Sequence, residues 1–167
     1  MKRFRWGFCV AIFGLIGCSE GPEGTIGAVR NQISAASSSV DTIVAKLKDF
    51  SAKKQGGDEV NAKADLKDAI EAAKTLKLAA EEIQKHHYHA TQAAASMTDD
   101  QKKAFKENNV EALRSLAGTF TQAATSHREL KKIVREITTK YGEDSLSDLM
   151  QEINAAYNAF AAVARRK

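Results

Sequence analysis

Three ionisable side chains share one face of a predicted helix. Glu82, His86 and His89 stand at positions i, i+4 and i+7 in the run EEIQKHHYHA, and a helical step of 100° per residue places them within about 60° of one another. A carboxylate and two imidazoles are ligands that bind Zn²⁺ or Cu²⁺ without cysteine. The spacing predicts a metal site, while Lys85 beside it fits the alternative of a solvated polar face.

Two further histidines, His87 and His127, occupy positions in apolar seams. A buried histidine pair could ligate haem or a metal. From the predicted helix ends, however, the two residues differ by ~13 Å in height, whereas shared ligation brings both nitrogens to ~2 Å from one ion. We therefore expect two separate seam histidines, hydrogen-bonded or near the surface.

The chain lacks the motifs of the common catalytic sites. It contains no Gly-rich phosphate loop, no His-Glu-x-x-His and no nucleophile elbow. Its 21 Asp and Glu residues fit the solvated faces of amphipathic helices, where they pair with lysine at i+4. We predict a protein that is not an enzyme and that has no cofactor apart from the metal considered above.

The first 17 residues have the composition of a secretory signal peptide. A basic start, an apolar stretch over residues 6–16 and the small Gly17 precede Cys18, and the stretch is too short to span a bilayer. The run Leu15-Ile16-Gly17-Cys18 resembles the lipobox of bacterial lipoproteins. This resemblance implies cleavage before Cys18, a diacylglycerol on its thiol and acylation of the new amino group.

Lipidation would make the membrane a partner without a spanning segment, because several acyl chains at ~0.8 kcal/mol per buried CH₂ hold a protein firmly. In the lipoprotein class an Asp after the cysteine often means retention in the inner membrane. Ser19 stands there instead, which favours the outer membrane of the cell envelope.

Removal of the leader changes the charge and cysteine content. The chain has 25 Lys and Arg against 21 Asp and Glu, and three of the cations lie in residues 1–17, so the mature protein is nearly neutral. This balance argues against nucleic acid as a partner. Cys9 leaves with the leader and Cys18 is lipidated, so no disulfide is expected.

The sequence divides into a signal peptide (1–17), a lipidated cysteine with a flexible tether (18–24) and a helical domain (25–167).

Within the helical domain, apolar residues spaced by three and four form heptad-type seams. The four seams are Ile26, Val29, Ile33, Ala36, Val40, Ile43, Leu47 and Phe50; Ala62, Leu66, Ala69, Ala73, Leu76, Ala80, Ile83, His87, Ala90, Ala94 and Met97; Leu113, Leu116, Phe120, Ala123, His127, Leu130, Val134, Ile137 and Tyr141; and Leu146, Leu149, Ile153, Ala156, Phe160 and Val163.

These seams predict an all-α fold, an elongated antiparallel four-helix bundle, although they leave open whether four helices close within one chain or across two. Capping boxes are predicted at Thr98–Gln101 and Asn108–Glu111, around a short extra helix. Gly142 is the expected helix stop. Gly118 within the third long helix fits two alternatives, close approach of another backbone or a glycine that the helix tolerates. Such a bundle favours an interaction or structural module that presents a helix face to a protein partner in the envelope.

The C-terminus carries a second resemblance. The ending AVARRK is similar to that of the murein lipoprotein class, which combines a lipobox, heptad helices and a terminal lysine joined to peptidoglycan. The run SSSVDTIVAKL (37–47) also looks like a heptad of that class. The resemblance implies a peptidoglycan link on the ε-amine of Lys167, and hence a peptidoglycan-tethered spacer as an alternative function.

Overall fold

The computed structural model describes the backbone of residues 22–142 and 146–164. Within these ranges it leaves out the side chains of 22–26, 90–91, 164 and most of 112–124. The described chain is entirely helical apart from short connections, without a strand, which confirms the all-α prediction. Its five helices are α1 (Pro22–Gln55), α2 (Glu59–Ala95), α3 (Asp99–Asn108), α4 (Val110–Tyr141) and α5 (Leu146–Ala164).

The first helix begins earlier than the sequence suggested. Helix α1 starts at Pro22, so it includes residues 22–24, which the sequence analysis assigned to the tether. Proline is favoured in the first turn of a helix because its fixed φ suits the helix and an N–H is not needed there. Only four peptide links separate Cys18 from Pro22, and these span at most ~14 Å.

Glycine and capping residues set most helix ends. Helices α1 and α2 are joined through Gly57 at φ 78°, and Asp58 caps α2 by accepting a hydrogen bond from the backbone N–H of Asn61. Gly142 ends α4 at φ 61°, as predicted. Both hydrogen bonds of the Thr98–Gln101 capping box are present, whereas the box expected at Asn108 is wrong: Asn109 precedes α4 and makes no side-chain cap hydrogen bond.

Most residues of the predicted seams lie in the core where the structure describes their side chains. In α1 the described seam residues from Val29 to Phe50 are buried except for the half-buried Ile33 and Val40, in α2 they are buried up to Ile83, and in α5 they are buried except for the half-buried Phe160. The fully buried large side chains are Phe50, Ile43, Leu47, Ile83, Leu130, Leu146, Leu149, Ile153 and Val134. Every described core residue lies between Val29 and Val163, so a chain that begins at Ser19 keeps all of them.

Side-chain contacts fix the directions of the long helices. Helices α1 and α2 are antiparallel, since Lys46 of α1 pairs with Asp65 of α2 at 3.2 Å and Val29 clusters with Ile83. Helices α4 and α5 are antiparallel as well, because only residues 143–145 separate them and they pack side by side. Both pairs of long helices that are joined by short connections therefore reverse direction.

The two remaining neighbouring pairs are parallel. Phe50 near the end of α1 lies edge-to-face against Tyr141 at the end of α4, with ring centroids 6.1 Å apart. Helix α5 runs beside α2 in the same direction, since Lys77 pairs with Glu152 at 3.2 Å and Ile83 clusters with Val163 farther along both helices. The long helices thus contact one another in the cyclic order α1, α2, α5, α4, in which α2 and α4 are not packed side by side.

Helix α3 connects these two separated helices. It has ten residues, none of them buried, and a length of ~15 Å at 1.5 Å per residue. A square of helices spaced 8–10 Å apart has a diagonal of ~13 Å. An extra helix of this length therefore suits a connection from α2 to α4 better than the tight turn that suffices between adjacent helices.

Candidate functional site

The predicted metal ligands lie on α2, and the structure brings two of them close to each other. Glu82 Oε2 is 3.9 Å from His86 Nε2, while Glu82 Oε1 is 3.5 Å from Lys85 Nζ. The ring of His89 contacts Tyr88 edge-on, with centroids 5.8 Å apart. In residues 22–142 and 146–164 no group of three or more His, Cys, Asp or Glu side chains is placed to hold a metal ion. The Zn²⁺ or Cu²⁺ site stays a prediction.

The two seam histidines occupy separate environments. His87 on α2 is half-buried, whereas His127 on α4 is only 7% exposed. The imidazole of His127 stacks on the ring of Tyr157 from α5, with centroids 4.0 Å apart and an interplanar angle of 12°. His127 therefore belongs to the contact between α4 and α5.

The buried imidazole of His127 has an unusual polar environment. Its Nε2 makes no hydrogen bond to any group that the structure describes, so the expectation of a hydrogen-bonded or surface histidine is not met at this nitrogen. Burial, and secondarily the charge of Lys131, lowers the pKa of His127 from 6.5 to about 4. The ring is therefore neutral at neutral pH and packs as an aromatic side chain.

A buried carboxylate joins α1 to α2. Asp65 is 4% exposed and accepts hydrogen bonds from Lys46 and Lys53, both on α1. The hydrogen bond from Lys53, more than that from Lys46, lowers the pKa of Asp65 below its ordinary value of 3.8. Asp65 is not a member of the predicted seam. The sequence signal for its burial is its place next to Leu66, between the seam positions Ala62 and Ala69.

A group of cations lies on the second half of α4, with Arg128, Lys132 and Arg135 exposed and Lys131 half-buried. A shallow concavity there is lined by Arg128, Lys131, Lys132, Arg135 and Glu136, and we call the four basic residues the α4 cationic face. Lys132 Nζ lies 3.9 Å from Glu136 Oε1. The predicted mature chain is nearly neutral overall, so its net charge does not reveal this local excess of positive charge. The signal in the sequence is the spacing of the four basic residues along α4.

Cys18, the predicted lipidation site, and Lys167, the predicted peptidoglycan attachment site, both lie outside the described residues. Among the residues that are described, none of the helices combines the length and apolar character needed to cross a membrane. No protein-family model, curated protein or solved structure matches this chain.

Proposed function

We propose that the chain is a lipid-anchored lipoprotein of the bacterial cell envelope that acts as a non-catalytic helical interaction module. The observation that carries this proposal is the lipobox-like run Leu15-Ile16-Gly17-Cys18, placed after a leader with a basic start and an apolar stretch. In this proposal Cys18 is the first residue of the mature protein and its attachment point. The leader is removed on export.

The position of α1 supports an anchor of this kind. Its first residue, Pro22, follows Cys18 by four peptide links, which reach at most ~14 Å. A lipid on Cys18 would hold the start of α1 close to the bilayer surface, with Ser19 favouring the outer membrane. The helical domain would then project from this surface into the envelope.

We further infer that the four long helices close into one elongated four-helix bundle. The cyclic contacts among α1, α2, α5 and α4 support this inference. Helices α1, α2 and α4 contain 34, 37 and 32 residues, which corresponds to ~48 to 55 Å at 1.5 Å per residue. A rod of this length offers long exposed helix faces to a protein partner, and such recognition needs no catalytic residues.

Two other functions follow from the sequence and stay secondary. The 3.9 Å approach of Glu82 to His86 favours metal binding in part, but it involves only two of the three proposed ligands. The peptidoglycan-linked spacer depends on Lys167 and on the likeness of the C-terminus to the murein lipoprotein class. We place the lipid-anchored interaction module first because its motif has each part in the position that lipid attachment requires.

Metabolic labelling tests the anchor. The full chain, expressed in a bacterial host with labelled palmitate, should incorporate label, and mass spectrometry should find a mature N-terminal peptide that begins with acylated Cys18. The Cys18→Ser variant should lose all label, because it lacks the thiol that accepts the diacylglycerol.

The Cys9→Ser variant is a matched control, since it removes the other thiol of the chain from a part of the leader that the lipobox does not include. It should be labelled like the wild type. Label that persists in Cys18→Ser, or a mature N-terminus at another residue, would contradict the proposal.

A further inference from the structure

The α4 cationic face points away from the core. Arg128, Lys131, Lys132 and Arg135 stand at i, i+3, i+4 and i+7, and the 100° helical step places them within about 100° of one another. The buried residues of the same stretch are His127, Leu130, Val134 and Ile137, and their mean direction lies roughly 130° from that of the cations. The four charges therefore form one row on the outside of the molecule.

Most of these cations form no ion pair within the described structure. Arg128, Lys131 and Arg135 make no ion pair with any carboxylate that the structure describes, and Lys132 has only the 3.9 Å contact with Glu136. Elsewhere lysines pair more closely, for example Lys74 with Glu71 at 2.8 Å. The row thus keeps most of its positive field available to an external anion.

The shape and lining of this surface restrict its partner. All five residues that line the concavity are charged, and all of them come from α4. The surface has no apolar side chain for a hydrophobic helix and no second wall to enclose a peptide. A row of cations along one side of a single helix instead fits a flat array of phosphate groups, to which each Lys or Arg near the surface contributes favourably.

We propose that the α4 cationic face docks on an anionic phospholipid surface and that the bundle lies along the membrane instead of standing on its anchored end. This inference goes beyond the proposed lipid anchor, because it adds a second, electrostatic contact made by folded residues. Lipid attachment through one cysteine together with a basic patch would hold the domain by two signals in place of one.

Distances in the structure show that the α4 cationic face reaches the membrane only in one orientation of the bundle. Tyr141 of α4 lies beside Phe50 of α1, and the two helices are parallel, so Arg128 is level with residue 37 of α1. That level is ~22 Å from Pro22 along the axis at 1.5 Å per residue. In an upright bundle the cations would stand more than two Debye lengths from the headgroups at physiological salt, where Coulomb attraction is largely screened. The patch attracts the surface only when the bundle lies down.

Vesicle sedimentation tests the contact separately from the anchor. The protein is a chain that begins at Ser19, which keeps every described core residue and has no lipid site. It should sediment with vesicles that contain phosphatidylglycerol, remain in solution with pure phosphatidylcholine vesicles, and be released by added salt. The Arg128→Glu/Lys132→Glu variant should bind the anionic vesicles at least tenfold more weakly.

The Lys63→Glu/Lys67→Glu variant is the matched control. Both lysines are exposed on α2 and share the i, i+4 spacing and the charge change of the test variant. The control should bind within about twofold of the wild type, and helical circular dichroism and thermal midpoints should show that both variants fold.

Three results would overturn the proposal: equal binding to phosphatidylcholine vesicles, undiminished binding by Arg128→Glu/Lys132→Glu, or an equal loss in the control. Binding to poly-glutamate through these residues with no binding to anionic vesicles would also overturn it, in favour of an acidic protein partner. None of these outcomes tests lipidation of Cys18, because the chain used for sedimentation lacks that residue. The palmitate-labelling experiment can therefore succeed or fail whatever the result of the vesicle experiment.

Discussion

At the scale of single residues, His127 is the group whose structure departs most from what its position suggested. A histidine in an apolar seam is compatible with a ligand, a hydrogen-bonded side chain or a packed ring. The stack on Tyr157 and the Nε2 that makes no hydrogen bond to a described group favour the packed ring. A charge on this ring would have to be desolvated within the α4–α5 contact, which is why the pKa lies near 4.

This packing predicts a pH dependence of stability. Because the pKa of His127 is lower in the folded chain than its ordinary value of 6.5, the unfolded chain binds the proton first as the pH falls. The stabilisation is full above pH ~6.5 and declines toward pH ~4. Between pH ~7 and pH ~5.5 the free energy of unfolding should fall by on the order of 1 kcal/mol, measured by urea denaturation at each pH.

The His127→Phe variant keeps an aromatic ring against Tyr157 but has no group that titrates, so its stability should change less over this pH range. The His89→Phe variant is the control, since His89 is exposed on α2 and should leave the wild-type pH dependence in place. A pH response of His127→Phe as steep as that of the wild type would show that another group is responsible.

At the scale of secondary-structure elements, two glycines have opposite roles in α4. Gly142 ends the helix in the left-handed region at φ 61°, where a Cβ is strained. Gly118 lies within the helix, and apart from the nearby backbone of α4 itself a Cβ built there meets no atom of the described residues within 4 Å. Of the two alternatives at Gly118, the described residues therefore favour a glycine that the helix tolerates over close approach of another backbone.

Alanine at these two glycines should shift stability in opposite directions. Gly118→Ala should raise the free energy of unfolding by ~0.5 to 1 kcal/mol, since alanine restricts the unfolded chain and has the higher helix propensity. Gly142→Ala should lower it by roughly 1 kcal/mol, because alanine is strained at a positive φ. Thermal and urea denaturation at pH 7 measure both changes, and destabilisation by Gly118→Ala would reveal a neighbour at that position.

At the scale of the whole molecule, the order of the helices is the main result. Sequential pairs are antiparallel, whereas α1 lies beside α4 and α2 lies beside α5, each pair running in the same direction. Helix α3 makes this order possible by providing a connection longer than a tight turn. The same order places the α4 cationic face beside the helix that would carry the lipid anchor.

Distances between spin labels test this order. A chain that begins at Ser19 has no cysteine, so labels can be placed at Gln55→Cys with Lys140→Cys, and at Gly27→Cys with Lys140→Cys. The first pair should give a short distance, below ~20 Å, because adjacent helix axes lie 8–10 Å apart. The second should exceed ~30 Å, since Lys140 is level with residue 49 of α1 and residues 27 and 49 are ~33 Å apart along the axis.

The reverse ranking, with Gly27 closer to Lys140 than Gln55 is, would show that α4 runs antiparallel to α1. Exposed α1 and α4 positions keep the labels out of the core, as Gln55, Gly27 and Lys140 are all exposed. Unchanged circular dichroism of each labelled chain is the control for folding.

The sequence by itself determined the helices, their inward faces and most of their ends. Heptad spacing places the apolar residues on one side of each helix, and that side is the one that becomes buried. Thr98 and Gln101 cap the start of α3, and Gly142 ends α4, through contacts within one helical turn. The lipobox resemblance at Cys18 and the terminal Lys167 are likewise sequence statements, and they concern residues outside the described structure.

Only the tertiary structure decided which helices are neighbours, because a seam of Leu, Ile and Ala specifies an apolar face but not the partner that covers it. For the same reason the sequence did not predict that Asp65 would be buried between two lysines of α1, or that His127 would stack on Tyr157. Each of those contacts joins residues far apart in the chain, and its energy depends on a distance that exists only after the helices have packed.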